Sequence, residues 1–238
     1  MRRLKASSSH LKNQTIKNLA KAALCILLMF LIFFVVAYRV LSTWQVTSLE
    51  YIALIFSLAP LIAFYYYLRK YHIYSGGWQG EKQVIKLLNN KLNNDYYLIN
   101  ALSLRNGGGD IDHIVLGPNG VFVLETKNWS GNITCNGDEW QRDNKRHVDS
   151  SPSRQLKRNI ARIKQVIDSS PNLRQFGIWV EGIVVFTNKH AVLHINNPTV
   201  PILKLPQLAN YIAAHKNSSG YSRQQLEAIG KEIIKAQH

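Results

Sequence analysis

The 238-residue sequence is long enough for one ordinary domain with a smaller part beside it, and its 29 Lys and Arg against 14 Asp and Glu give a formal charge of +15. Two cysteines, Cys25 and Cys135, are too few for a disulfide framework or a zinc site built on thiolates. The charge is uneven, since residues 1–21 contain six basic and no acidic side chains. The basicity of this arm and that of the later domain therefore need separate explanations.

Two uncharged apolar runs follow the arm, at 22–38 and 51–68. As helices they would be roughly 26 Å long, near the lower limit for crossing a hydrocarbon core of about 30 Å. The alternatives are a pair of buried core helices or, for the first run, a cleaved signal peptide. We interpret residues 22–70 as a transmembrane helical hairpin, kinked at Pro60, and residues 71–77 as a linker.

The distribution of basic residues predicts the orientation of this hairpin. The loop between the runs carries one basic residue, whereas the arm carries six and Arg69 and Lys70 follow the second run. The positive-inside rule then places both ends in the cytoplasm. We expect a multi-pass protein of the cytoplasmic (inner) membrane whose soluble domain is cytoplasmic, with the arm over 1–21 in contact with anionic lipid.

Residues 78–238 alternate between helical and strand patterns. We predict a domain over 78–190 and its C-terminal strand and helical closure over 191–238. The predicted helices are 78–92, 152–168, 206–214 and 222–236, and the predicted strands are 96–104, 110–116, 121–127, 132–135, 178–187 and 200–203. This order predicts an α/β fold.

The stretch DIDHIVLGPNGVFVLETK, residues 110–127, reads as a hairpin with charges at its open end. With Leu116 opposite Val121, antiparallel pairing places Asp112 opposite Glu125 on one face. Opposed side-chain roots are about 4.5–5.5 Å apart, so two ionised carboxylates repel each other unless a cation lies between them. Oxygen ligands of this kind suit Mg²⁺ or Mn²⁺.

The same register places Asp110 opposite Lys127, beside the expected ion. There Lys127 could orient an attacking water or stabilise charge developing on a phosphate. The alternative is a cross-strand ion pair of Asp110 with Lys127, with Asp112 and Glu125 exposed to solvent. The hairpin pattern alone leaves both interpretations open.

These residues also carry a resemblance to a known family. Asp112, a hairpin and Glu125-x-Lys127 resemble the D…(D/E)-x-K core of the PD-(D/E)XK nuclease superfamily. More closely, the chain resembles the nuclease-related domain (NERD) family of bacterial proteins. The resemblance covers about residues 78–190 and includes Gly80-Glu81, Ile111–Val115, Gly120–Asn128, Gly131, and Pro152 with Gln155 and Asn159. The proline that usually precedes the first aspartate is replaced by Ile111.

The resemblance implies a restriction-endonuclease-like mixed sheet flanked by helices, and a role for each site residue. Asp112 and Glu125 would ligate Mg²⁺ or Mn²⁺ with the backbone carbonyl of Thr126, and Lys127 would position the nucleophilic water. Glu81 would reach the metal directly or through water. Gln155 completes the implied catalytic set.

The helix expected from Pro152 adds a basic surface. Arg154, Lys157, Arg158 and Arg162 lie on it at helical spacing, where they could contact phosphates. The alternative is a solvated basic face. We therefore expect a membrane-anchored, metal-dependent nuclease acting on nucleic acid, with DNA favoured over RNA. The alternatives are an inactive nucleic-acid-binding or signalling module of the same fold and a membrane-tethered protein–protein module; no sequence feature indicates the oligomeric state.

Overall fold

The computed structural model describes residues 1–6, 10–105, 107, 109–143, 150–215 and 220–237. The strands are β1 (Arg2–Ala6), β2 (Tyr97–Ser103), β3 (Asp110–Gly117), β4 (Gly120–Lys127), β5 (Gly131–Asn136), β6 (Glu139–Arg142), β7 (Val180–Phe186), β8 (Ala191–Asn196) and β9 (Ile202–Lys204). The helices are α1 (His10–Thr43), α2 (Ser48–Phe56), α3 (Leu58–Lys91), α4 (Pro152–Ser169), α5 (Pro171–Arg174), α6 (Leu208–Ala214) and α7 (Arg223–Lys235), with a 3-10 turn at Leu205–Gln207. The chain divides into two compact units, Met1–Ser9 with Gln79–His238, and His10–Trp78.

The helical unit contains two stretches, His10–Thr43 and Ser48–Lys91, that are long and apolar enough to cross a membrane by length and composition. Their most apolar windows are only 6% and 0% buried by protein, whereas the core helix of a soluble protein would be mostly buried. Large side chains such as Phe30 and Ile62 are 65% and 71% exposed. This surface is the kind that a lipid environment would cover.

Two details of the helical unit differ from the sequence-based prediction. Residues 71–77, predicted as a linker, are helical, because α3 continues through them without a break. Pro60 does not kink a long helix, because α2 ends at Phe56 and α3 begins at Leu58. Pro60 therefore lies in the first turn of α3, where its missing N–H costs little. The turn before α2 is fixed by a capping box between Thr47 and Glu50.

The predicted arm over 1–21 is also divided in the structure. Arg2–Ala6 form β1 and pair in parallel with β2, residues 7–9 lie outside the described residues, and α1 begins at His10. The amino terminus donates hydrogen bonds to the carbonyl oxygen of Leu92 at 3.3 Å and to Oδ1 of Asn94 at 3.1 Å. The first residues are therefore part of the α/β unit and not a free basic tail.

The α/β unit is built on a mixed sheet with the strand order β1-β2-β3-β4-β7-β9. The pairs β2–β3 and β3–β4 are antiparallel, and β1–β2, β4–β7 and β7–β9 are parallel. One face packs against α4 and α7 and the other against α3 and α6. This arrangement confirms the predicted mixed α/β fold with helices flanking a sheet.

A smaller sheet, ordered β6-β5-β8, follows the hairpin. The strands predicted from the sequence include β5 but neither β6 nor β8. Trp140 of β6 is 4% exposed and stacks on Phe186, the last residue of β7, with ring centroids 5.8 Å apart. The small sheet is thus joined through aromatic contacts to the end of the main sheet that carries the predicted site.

Candidate functional site

The hairpin of β3 and β4 has the predicted register over most of its length. Leu116 pairs with Val121, and the ladder runs as far as His113 opposite Leu124. It does not continue to Asp112 and Glu125, so the predicted backbone pairing there was wrong. Beyond Leu124 only the parallel pairing of β4 with β7, which runs from Val121 to Lys127, continues. The carboxylate Oδ2 of Asp112 accepts a 2.7 Å hydrogen bond from the backbone N–H of Thr126.

The ladder on the other side of Asp112 is interrupted as well. β2 pairs with β3 at Asn100–His113 and again at Leu102–Ile111, which leaves Ala101 across from Asp112. Ala101 has a φ of 48°, a left-handed conformation that residues with a side chain seldom adopt. The two gaps free the Asp112 backbone from regular pairing and let its side chain turn toward β4.

Three carboxylates converge at this opening from three elements. Glu125 is 1% exposed and its Oε2 has no hydrogen-bond partner among the described residues. Burial, and then the charges of Asp112, Asp110 and Glu125, raise the pKa of Glu81 on α3 to about 8. Burial also raises the pKa of Asp112, against the opposing effects of the Thr126 N–H and Lys127, and burial with the Asp112 charge raises the pKa of Glu125. In the absence of a further cation, burial therefore disfavours the ionised forms of all three carboxyl groups.

Lys127 places a positive charge in direct contact with this cluster. Its Nζ donates to Oε1 of Glu125 at 2.6 Å and to Oε1 of Gln155 on α4 at 3.2 Å. Its side chain is 14% exposed. The structure thus brings together Glu81, Asp112, Glu125, Lys127 and Gln155, the five residues predicted as the catalytic set.

A cation has a chemical fit at this position, although no ready-made cage exists. In the part of the chain that the structure describes, no three His, Cys, Asp or Glu side chains are arranged to hold a metal ion by themselves. Mg²⁺ is usually held by one or two carboxylates, with water and substrate phosphate as its other ligands. Asp112 and Glu125, with the unpartnered Oε2, match that requirement.

The four basic residues predicted to contact phosphates fall into two pairs. Arg154 and Arg158 are exposed on α4, and the Arg158 charge acts to lower the pKa of Glu125. Lys157 is held at 2.7 Å by Asp138, and Arg162 donates to the carbonyl oxygen of Gly109 at 3.0 Å. Two of the four therefore contact the protein itself.

Comparison with known proteins agrees with this geometry. A family model for the nuclease-related domain (NERD) matches residues 76–187, which contain the hairpin, Glu81 and Gln155.

Residues 76–187 form a nuclease-related domain.

This family is placed in the PD-(D/E)XK superfamily, in agreement with the resemblance seen in the sequence. An uncharacterised protein of Bacillus anthracis is 41% identical over 58 residues, which is 23% of this chain and 27% of that protein. The chain thus matches little more than a quarter of that relative's length. No solved structure matches the chain.

Gly80 was recognised in the sequence only as part of the family pattern, and its role in helix packing was not predicted. A side chain at this position would place Cβ 2.8 Å from Oγ1 of Thr187 and 3.2 Å from Cβ of Asn128. Gly80 therefore lets α3 approach the ends of β4 and β7 closely, and this approach brings the neighbouring Glu81 to the site.

A buried polar pair behind the site was also missed. His113 is fully buried on the face opposite Asp112, and its Nδ1 lies 2.8 Å from Oδ1 of Asn100. Burial lowers the pKa of His113 to about 3, so the ring is neutral. A histidine in an apolar strand was the available signal, but its partner in the preceding strand could not be chosen without the register.

Proposed function

We propose that the protein is a membrane-anchored, metal-dependent nuclease that hydrolyses phosphodiester bonds of nucleic acid on a restriction-endonuclease-like core. The observation that carries the proposal is the pairing of Asp112 and Glu125 with the nearby Lys127 ammonium, and the approach of Glu81 to the same two carboxyl groups. A purely structural ion pair would need one acid for one lysine. Two further buried acids have no evident purpose without a cation.

Asp112 and Glu125 would hold Mg²⁺ or Mn²⁺, with Glu81 contributing directly or through water. The ion would supply charge stabilisation and a more acidic bound water. Its positive charge would also favour the ionised form of Glu81, whose pKa is raised by burial and then by the charges of Asp112, Asp110 and Glu125. The unpartnered Oε2 of Glu125 is the acceptor available to it among the described residues.

Other side chains would orient the attacking water, stabilise the developing charge and bind the substrate phosphates. Attack of water on a phosphodiester builds negative charge on the phosphate oxygens, and the Lys127 ammonium is the group placed to stabilise that charge and to orient the water. Gln155 holds this ammonium through its Oε1. Arg154 and Arg158, exposed on α4, are the side chains that we expect to neutralise substrate phosphates. The family resemblance favours DNA over RNA as the substrate.

The membrane part supports an anchor of two crossings. Met1–Ser9 and Gln79–His238 belong to one compact unit, and the helical unit His10–Trp78 joins them in sequence. Both ends of the helical unit lead into the same folded unit, which supports an even number of crossings. Together with the basic residues at both ends, this supports a hairpin in the cytoplasmic membrane, a cytoplasmic nuclease-related domain, and contacts of Lys12, Lys17 and Lys21 with anionic lipid.

The test is cleavage by the full-length protein in detergent or nanodiscs. Supercoiled plasmid, linear duplex, single-stranded DNA and RNA would each be incubated with Mg²⁺, Mn²⁺ or EDTA. We expect cation-dependent nicking that Lys127→Met and Asp112→Asn each reduce at least 100-fold, whereas Lys231→Ala, an exposed lysine on α7, cleaves like the wild type. Cleavage that survives both site variants, or none on any substrate with either cation, would refute the proposal.

A further inference from the structure

The Lys127 ammonium has a third neighbour, the indole ring of Trp129. Its Nζ lies over this ring, 5.8 Å from the centroid, in addition to its hydrogen bonds to Glu125 and Gln155. The face of an indole attracts an ammonium group through the ring quadrupole. Trp129 is half-buried at the start of the segment that leads from β4 to β5, two residues after the lysine.

Glu125, the anionic partner of Lys127, is also a residue that would bind the cation. Glu125 holds the ammonium at 2.6 Å, and the same carboxylate is a proposed ligand of the metal. When its charge is shared with a divalent ion, its hold on the ammonium weakens. The neutral partners, Gln155 and Trp129, do not compete for the ion and would keep their contacts with Lys127.

These two neutral partners rest on a common support. Trp129 packs edge-to-face against Trp140 at 6.5 Å and against Phe186 at 6.0 Å. The Nε1 of Trp140 donates a 3.0 Å hydrogen bond to Oγ of Ser153, in the first turn of the helix that carries Gln155. Both Trp140 and Ser153 are buried, so the ring and the amide are fixed relative to each other.

We propose that Trp129 is a positioning residue that holds the Lys127 ammonium at the site through the face of its indole ring. For its catalytic consequence the inference rests on the proposed nuclease function. Cation–π contacts of this kind correspond to roughly a 3- to 30-fold effect on a rate when the geometry depends on them. The competing role for an aromatic side chain beside a nuclease site is stacking on a substrate base, which would act on binding instead.

The test uses full-length protein in which Trp129 is replaced, by nonsense suppression, with mono-, di- and trifluorotryptophan. Fluorine withdraws charge from the ring face and leaves the shape of the side chain nearly unchanged, so a packing role would not respond. We expect kcat to fall stepwise with each fluorine, with KM within twofold of wild type. Trp129→Leu should have a kcat at or below the lowest of the series. Fluorination at Trp179, 63% exposed at the opposite end of β7, is the control and should change neither constant.

A kcat that does not change along the fluorine series would overturn the inference, and so would an effect confined to KM, which indicates base stacking. The contact between Lys127 and Trp129 can also be measured without catalysis. The assay is the rate at which acetic anhydride acylates Lys127, followed by mass spectrometry. That rate should rise along the same series as the ammonium is released. If the wild type cleaves nothing but the acylation rate rises, the proposed function fails and the positioning contact stands; a constant acylation rate overturns the contact itself.

Discussion

Gly80 offers a sharp test of how α3 delivers Glu81 to the site. In a helix interior, replacing glycine with alanine ordinarily stabilises a protein by about 1 kcal/mol. Here the new Cβ would lie 2.8 Å from Oγ1 of Thr187 and 3.2 Å from Cβ of Asn128. Ordinary contact begins near 3.4 Å, so the helix would have to move by roughly 0.6 Å.

Overpacking of this kind costs about 1–3 kcal/mol, which offsets or exceeds the gain in helix propensity. We therefore expect Gly80→Ala to lower the free energy of unfolding by up to about 2 kcal/mol. Cleavage should suffer more, because displacement of a catalytic group by about 1 Å can cost on the order of 100-fold in rate. Chemical denaturation and plasmid nicking of the full-length protein measure the two effects.

Two control variants distinguish the effect of the steric contact at Gly80 from the effect of alanine on helix propensity. Gln83→Ala changes an exposed position of the same helix and should leave both measurements near wild type. Thr187→Ala removes the nearest clashing atom, so the Gly80→Ala/Thr187→Ala double variant should be more active than Gly80→Ala alone. A Gly80→Ala protein that is about 1 kcal/mol more stable and fully active would refute this account of the helix position.

Three further predictions concern charge and the edge of the sheet. The pKa of Glu81 is raised, so the folded protein without metal binds more protons than the unfolded chain, and its melting temperature should fall as the pH rises from about 5 to 8. This fall should be smaller in Glu81→Gln and smaller with Mg²⁺, and an equal slope in all three would contradict it. Arg158→Ala should weaken DNA binding in a gel-shift titration several-fold, whereas Lys157→Ala, already paired with Asp138, should change it less than twofold; the reverse order would disprove the division of these residues. Leu4→Asp should lower the melting temperature of the full-length protein if β1 is an integral strand, and an unchanged melting curve would count against that.

The sequence predicted elements well where its periodicity was regular. α4 begins at the predicted Pro152 behind a Ser151 cap, and the limits of β4 and β7 lie within two residues of those expected. β1 was missed because RRLKA is basic and short, and its pairing with β2 depends on contacts distant in sequence. β6 was missed because EWQR is short and polar, and only the packing of Trp140 marks it as buried.

The candidate site shows the same division. The alternation of side chains placed Asp112, Glu125 and Lys127 at one end of one face, and their proximity follows from that register. The gap in the β2–β3 ladder at Asp112 was beyond the sequence, because alanine at position 101 does not favour the positive φ that it adopts. The engagement of Arg162 by the Gly109 carbonyl was equally hidden, since helical spacing indicates the direction of a side chain and not its partner.

The first strand has a consequence for how the protein is made. Arg2–Ala6 leave the ribosome before the two apolar stretches, but their partner β2 is synthesised only after both. The six-stranded sheet therefore cannot be completed until both apolar stretches have been synthesised. On the proposed function, this order would couple completion of the nuclease fold to delivery of the chain to the membrane.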